Sequence, residues 1–395
     1  MSLHLLVAGG GIGGLAAAIA VRRAGWEASI FEQAEGFSKV GAGIQLGPNV
    51  TRILREWQVL KGDLEEQACR PPRIRVRDAV DGAELAALQL SQVEQRYGAP
   101  YVTVHRVDLQ TALLQAADQA GARLHVGRKV TAVTQHAAGV RARVGEGRPD
   151  VDGDALVAAD GLWSVARAGV AGAEAGPPTP IHHLAYRSMV KRAELPIGQR
   201  SDEVRVWLAP RMHLVTYPVR GGDFTNLVCV VEGRASGDPR GWDHEAMASE
   251  LERSAGAICT EATDLLRAVP AWRLWMLHDR PPVASAEAMA QGRIALLGDA
   301  AHPMRPYLAQ GAGMAIEDAR ELQRVLTVTG EAAVDVPLAF GRYATNRWQR
   351  VARVQARSRR NGEIFHAAGP LRWSRNLALR ALGPKLLDQP WLYGY

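Results

Sequence analysis

Cysteine is scarce in this 395-residue chain: Cys69, Cys229 and Cys259 lie far apart, with no C-x-x-C pair. That spacing excludes a disulfide framework and a zinc ribbon, and no metal centre is expected. Long apolar runs are also lacking. None approaches the ~20 residues a membrane-spanning helix needs, and the amino terminus enters a strand with neither a basic leader nor a cleavage site. The expectation is a cytoplasmic protein with no transmembrane segment. There is no internal repeat and no low-complexity tract. Acidic residues are missing from one stretch, between Gly341 and Gly362, where Arg342, Arg347, Arg350, Arg353, Arg357, Arg359 and Arg360 accumulate. Val351 and Val354 fall there at helical spacing, so the stretch reads as a helix with a basic, solvated face, open to a lipid headgroup or a homodimer interface. The net charge of +6 is otherwise spread out, which suits acidic small molecules and gives no reason to expect nucleic acid.

What is present is a globular composition, 47% hydrophobic with 40 glycines, hence a folded chain with many tight turns. Its length suggests two domains, interleaved rather than tandem. Leu3 to Ala8 is an apolar strand that ends in Gly9-Gly10-Gly11-Ile12-Gly13-Gly14 and continues as a helix. Gly9, Gly11 and Gly14 occupy the G-x-G-x-x-G positions that permit a tight turn, close approach to a pyrophosphate and close helix-on-strand contact. A second strand, Ala28 to Phe31, ends in Glu32, placed to reach ribose hydroxyls. Strand, glycines, helix, strand and acid in register predict a dinucleotide site. The small residues of Gly41 to Asn49 follow where a nicotinamide-only domain would carry its next helix and strand, which favours FAD.

Further along, Ile74 to Leu88 predicts a hairpin turning at Asp81-Gly82. Tyr101 to His105 predicts a strand running into a helix that opens at Arg106 and ends near Gly121. Arg106 is placed to reach a nucleotide, with a salt bridge to Asp108 as the alternative. Two buried strands end in carboxylates: Leu156 to Ala159 in Asp160-Gly161, followed by Ser164 and Arg167, and Ile294 to Leu297 in Gly298-Asp299. Both aspartates are expected on one ligand site. The amides of Gly311, Ala312 and Gly313, opening the next helix, would face a phosphate or an electron-rich ring. Beyond the Gly176-Pro177-Pro178 linker, four strands are predicted over His182 to Val190, Glu203 to Leu208, His213 to Val219 and Phe224 to Val231. Alternation places His213, Val215 and Tyr217 on one face. Helices are predicted at about Trp242 to Ser254 and Glu261 to Ala268, and Trp272 to Leu277 as a strand returning to the first domain.

Three motifs therefore stand in one order: Gly9 to Glu32, Asp160-Gly161 with Arg167, and Gly298-Asp299 with Pro303. Over almost the whole length the chain resembles the single-component FAD-dependent aromatic hydroxylases with the para-hydroxybenzoate hydroxylase fold. Gly41 to Asn49, His105-Arg106 to Leu109, Ala309-Gln310-Gly311 and the closing Trp391-Leu392-Tyr393 resemble the branch containing salicylate hydroxylase and 3-hydroxybenzoate 6-hydroxylase.

The resemblance implies an α/β fold: a discontinuous Rossmann-like FAD-binding domain (1–72, 100–178, 279–330) interleaved with an antiparallel-sheet substrate domain (73–99, 179–278), then C-terminal helices (331–395). It implies FAD contacts from Gly9, Gly11, Gly13, Gly14, Glu32 and Gln33, and from Gly43, Arg106, Asp160, Asp299 and Gly311 to Gly313. It places Pro303 beside the flavin ring, His213 and Tyr217 over it, and Gln45, Gln310, Arg305 and Tyr186 near the substrate. Arg305 stands where the family more often has an apolar residue. Gln45 stands where some relatives acting on hydroxypyridine acids have histidine. The implied reaction is hydroxylation of a small phenolic or hydroxypyridine carboxylic acid with NADH or NADPH and O2, through a flavin C4a-hydroperoxide. His213, whose unperturbed pKa of about 6.5 suits a base, would deprotonate the phenol. Oxygenation or epoxidation of a larger non-phenolic compound on the same fold is the alternative.

Overall fold

The computed structural model describes residues 3–37, 41–172, 176–234, 244–327 and 334–394. Two sheets organise it. The first has six strands in the order Ala290–Gln291, Ile294–Leu296, Ala155–Ala158, His4–Ala8, Glu27–Phe31, Arg123–His125. All pairings are parallel except that of Ala290–Gln291. Strands covered on both faces must be apolar throughout, and Leu5, Leu6, Val7 and Ala8 are all buried. At roughly 1.5–3 kcal/mol for each large side chain removed from water, this short run anchors the first core. The alanine-rich helix Ile12–Arg23 is buried along most of its length, which small side chains permit at close range.

The second sheet has eight strands, ordered His244–Ala246, Trp272–Asp279, Thr179–Lys191, Phe224–Glu232, Met212–Val219, Val204–Ala209, Arg73–Asp78, Glu84–Gln89. The hairpin 73–89 thus joins a sheet whose other strands begin only at Thr179, by a parallel pairing of Val204 with Ile74. One face of this sheet buries Trp207, Leu214, Leu227, Cys229 and Trp272 in a core shared with the helices Ala248–Ala255 and Thr260–Arg267. The other face looks toward the first sheet.

Three expectations change. Trp272–Asp279 does not return to the first sheet; it pairs with Thr179–Lys191 and with His244–Ala246 inside the second. Of the helix expected from Trp242, that residue lies outside the described ones, 244–246 is a strand, and helix begins at Ala248. The arginine-rich stretch is a helix, Val336–Phe365, but its face is not simply solvated. Arg347 is fully buried, with Nε 2.8 Å from Asp318 Oδ1 and Nη1 2.9 Å from Glu317 Oε2. Arg350 reaches Glu317 at 2.6 Å and Arg359 reaches Asp279 at 2.9 Å. The acids that balance this helix come from elsewhere in the chain, beyond the reach of local charge patterning. Among the described residues no helix is long and apolar enough to cross a membrane.

Candidate active site

The glycine motif makes its turn by close backbone approach. Gly9 has φ of 99°, and a Cβ there would stand 2.5 Å from the Ala159 carbonyl oxygen. A Cβ on Gly14 would stand 1.8 Å from the Gly9 oxygen, so Gly14 acts in the turn itself. Gly11 has nothing within 4 Å of a built Cβ and opens onto a cavity of about 1060 Å³. The N-terminal turns of two helices, Ile12–Arg23 and the 16-residue Gly311–Leu326, reach that cavity through Ile12 and Gly13 and through Gly311 and Ala312. Unpaired N–H groups at such ends favour an anion.

Strand pairing explains the two aspartates. Ala158 pairs in parallel with Leu296, so Asp160 and Asp299 emerge side by side at the carboxyl ends of neighbouring strands, the usual location of ligand sites in such sheets. Both line the cavity. Asp160 accepts from the Val165 amide at 2.9 Å, while its Oδ1 is buried without a partner. Asp299 is exposed where it lines the cavity. Burial raises both carboxyl pKa values; His302 and Arg106 pull Asp299 partly back. The turn carrying Asp299 is braced by Arg167, whose Nη1 donates to the Ala300 and Ala301 carbonyls and whose pKa falls to about 10 through burial and the nearby Arg280. Glu32 lines the cavity and is fixed there by the amides of Gly10 (2.7 Å) and Ala34 (2.9 Å). Gln33, Gly43 and Arg106 also line it. Asp108, the alternative partner of Arg106, instead takes both arms of Arg220 at 3.0 and 3.1 Å.

The opposite wall is the second sheet. Register across three strands makes rows: Arg187, Val228 and Val215; Ala185, Val230 and His213; Met189, Asn226 and Tyr217. Arg187, His213, Val215, Tyr217, Val228 and Val230 face the cavity. The segment Gly43–Leu46 crosses this face so closely that a Cβ on Gly43 would stand 2.5 Å from the Tyr217 ring, and Asn226 accepts from the Gly43 amide at 2.7 Å. Gln45 and Gln310 are both present; Gln45 accepts from Tyr101 at 2.6 Å and Gln310 from Asn49 at 3.1 Å. Arg305 lines the cavity while its Nε is held by buried Asp279 at 2.7 Å.

Besides Gly14, which serves the turn, three expected residues lie off the cavity wall. Tyr186 points to the far face, buried with Cys229 and Leu214, because strand neighbours alternate; its neighbour Arg187 takes the cavity position. Pro303 is buried outside the lining, its carbonyl accepting from Gln355 at 3.0 Å, and Pro306 is the proline on the cavity wall. Gly313 sits one step inside its helix, where a Cβ would meet Gln310 and Val50 at 2.9 Å. Arg187, Pro306 and Gln110, which donates to the Gly10 carbonyl at 3.1 Å, were missed. An arginine in a predicted strand, flanked by Tyr186 and Met189, was the one available signal for Arg187.

Two anion-favouring helix ends, an unpartnered buried Asp160 oxygen and an exposed Asp299 on one cavity of about 1060 Å³ fit a dinucleotide with a hydroxylated chain. Residues 2–358 match the family described as FAD binding domain. The chain is 36% identical to the 3-hydroxybenzoate 6-hydroxylase of Polaromonas naphthalenivorans, covering all of this chain and 96% of that protein. The chain belongs to the FAD-dependent aromatic hydroxylases. Another such relative, the 6-hydroxynicotinate 3-monooxygenase of Bordetella bronchiseptica, is 36% identical over 91% of each chain. A salicylate hydroxylase substrate complex superposes with a TM-score of 0.84 at 25% identity, covering 100% of this hydroxylase and 95% of that chain. This hydroxylase is therefore a flavoprotein monooxygenase whose cofactor is FAD.

Electrostatics distinguish the two walls. Burial holds the His213 imidazole well below its ordinary value, reinforced by His366 and His183. Burial also lowers Arg187 and raises Tyr217. The Arg187 Nε has no hydrogen-bond partner, and its guanidinium lies 4.3 Å over the Trp275 ring. A desolvated cation of this kind is a ready partner for a carboxylate.

Proposed function

We propose that this hydroxylase converts a small aromatic acid carrying a ring hydroxyl, phenolic or hydroxypyridine, to its further hydroxylated product, using NADH or NADPH and O2. The observation that carries the reading is the row structure of the second sheet. It sets a cation, an imidazole and a phenol, Arg187, His213 and Tyr217, on one wall of the cavity whose other wall suits FAD. Bound FAD, reduced by the nicotinamide, supplies activated oxygen to the ring.

The protein's share is placement, dryness and a proton. Arg187, with Arg305 toward the cavity's other side, holds the carboxylate by a charge-assisted bond. Val215, Val228 and Val230 give the ring an apolar floor that excludes water. His213 takes the ring hydroxyl's proton through Nε2, since its Nδ1 is turned to His366 at 2.9 Å. The resulting phenolate is the more electron-rich ring. Tyr217, Gln45 and Gln310 orient the hydroxyl.

The test is nicotinamide oxidation by the FAD-loaded protein, with and without hydroxybenzoates and hydroxypyridine carboxylates, and with catalase to reveal peroxide leakage. Strong stimulation by one acid with little peroxide is expected, together with slowed or uncoupled turnover in His213→Ala that keeps its FAD. If no such acid stimulates, the substrate is instead a larger, non-phenolic compound and the role of His213 falls with the phenol.

A further inference from the structure

Behind His213, away from the cavity, lies a cluster that the reaction as described leaves unused. His213 Nδ1 is 2.9 Å from His366 Nε2. His366 Nδ1 is 3.4 Å from Glu232 Oε1 and makes no hydrogen bond in the resting arrangement. The Glu232 side chain is 34% exposed, against 2% for His366. Its second oxygen takes Arg211 Nε at 3.1 Å, which leaves Oε1 directed at the imidazole. His366 is set in place by its own backbone: it caps the helix Val336–Phe365, and its carbonyl accepts from the Arg211 amide at 3.0 Å.

We infer that His366 and Glu232 are the exit path for the proton His213 removes, linking a buried base to solvent through two histidines and one carboxylate. This rests on the hydroxylation proposed above. The transfers balance without a lasting imidazolium. The ring hydroxyl gives its proton to His213 Nε2, the His213 Nδ1 proton passes to His366 Nε2, and the His366 Nδ1 proton passes to Glu232 Oε1, which releases it to water. Each imidazole ends neutral in the opposite tautomer, the substrate is left as phenolate, and one proton has left the protein.

The surroundings require such a path. Burial and the neighbouring His183 and Arg375 hold His366 down to about 3, and His213 is likewise held low. A proton parked on either ring would be strongly disfavoured, so deprotonation proceeds only if the proton moves on. One ligand atom each from His183, Glu232 and His366 lies within 4.8 Å of the others. The His183 and His366 rings are stacked, however, with 29° between planes, and His183 Nδ1 meets the Tyr307 hydroxyl. Stacked rings direct their lone pairs side by side rather than onto one ion, which suits proton transfer along the row better than metal binding.

The experiment uses the FAD-loaded full chain, with 3-hydroxybenzoate and then each other acid of the panel as probe. A pH indicator in weak buffer follows proton release by stopped flow, in parallel with flavin reduction. Wild type is expected to release a proton on substrate binding. His366→Phe, which keeps an aromatic ring in the cluster, and Glu232→Gln should slow that release at least about tenfold, the low end of what a positioned acid or base contributes being larger still. FAD content and substrate affinity should stay near wild type, and added imidazole should restore release in His366→Gly. A purely structural role would lower thermal stability without altering release relative to flavin reduction. Wild-type release rates in His366→Phe and Glu232→Gln overturn the path alone. No release from wild type with an acid that stimulates nicotinamide oxidation also overturns the path, whereas no stimulation by any of the acids overturns the hydroxylation reading, and the path with it.

Discussion

Arg347→Met removes the centre of a fully buried charge cluster while nearly keeping its volume. Arg347, Glu317 and Asp318 have side chains with no solvent exposure, and the two acids lie on the helix whose first turn lines the cavity. Glu317 keeps Arg350 and the Asn49 amide at 2.7 Å, but Asp318 is left with His302 at 2.5 Å and the Gly298 amide at 3.1 Å. Taking one partner from a buried pair costs roughly 3–5 kcal/mol, because the remaining charge stays desolvated. With an unfolding entropy of ~2.1 cal/mol/K per residue, about 4 kcal/mol lowers the Tm of a chain this long by about 5 °C. Arg342→Met, the same chemical change at an exposed position of the same helix, should cost within about 0.5 kcal/mol. Acid separates the mechanism from a packing defect. Burial alone would raise Asp318, but His302 and Arg347 outweigh it and bring its pKa from 3.8 to about 2. A depressed carboxyl stabilises the fold above its unfolded pKa and loses that stabilisation as pH falls through the folded one. About 2 kcal/mol is therefore present above pH 4 in wild type and disappears toward pH 2. The wild-type advantage over Arg347→Met should shrink across that window in calorimetry or circular dichroism. Equal Tm values for wild type, Arg347→Met and Arg342→Met at pH 7 would refute the reasoning.

Two other predictions concern the cavity. Arg187→Gln should raise KM for an aromatic acid by about 10- to 100-fold, from a lost charge-assisted bond of roughly 1.5–3 kcal/mol, and should leave KM for the matching carboxamide nearly unchanged; equal effects on acid and amide would show that Arg187 does not hold the carboxylate. Because burial lowers the His213 pKa, its neutral, base-competent form persists well into acid, so the acid limb of kcat/KM should contain no His213 ionisation near 6.5. A limb at 6.5 that vanishes in His213→Gln would mean the imidazole is better solvated than its packing implies.

Short-range signals explain what could be read in advance. The first strand, its glycines, the following helix and Glu32 are successive in sequence, and each glycine has a local reason that the structure displays, as at Gly9 against Ala159 and Gly14 against Gly9. Asp160 and Asp299 could be read as a pair because each ends an apolar strand, and parallel pairing of those strands delivers both to one end of the sheet. His213 and Tyr217 share a face by alternation alone. The arginine helix is less solvated than its own sequence implies because its partners, Glu317, Asp318 and Asp279, sit 29 to 80 residues upstream of the arginines they meet, where no charge pattern local to the helix can reveal them.

The misplaced residues fail by short steps along the chain. Tyr186 and Arg187 are neighbours, and in a strand the choice between them decides which enters the cavity and which enters the core. The family resemblance pointed to the tyrosine. The sheet reverses this: the row Arg187, Val228, Val215 is fixed by pairing with two other strands, while the core on the far face, lined by Leu214, Cys229 and Trp272, can take a phenol but not an unpaired cation. Pro303 and Pro306 differ by three residues in a turn where each proline limits the backbone, and only the burial of Pro303 against Gln355 shows which one is free to meet a ligand. His366 lay beyond any such reading. It follows His213 by 153 residues and carries no motif, and it reaches the site only because the long helix ends where the second sheet presents His213 from behind. The residues with the clearest local signature therefore describe where the cofactor goes. The residues that decide what happens to a substrate's charge and proton, Arg187 and His366, are set by strand register and by helix length.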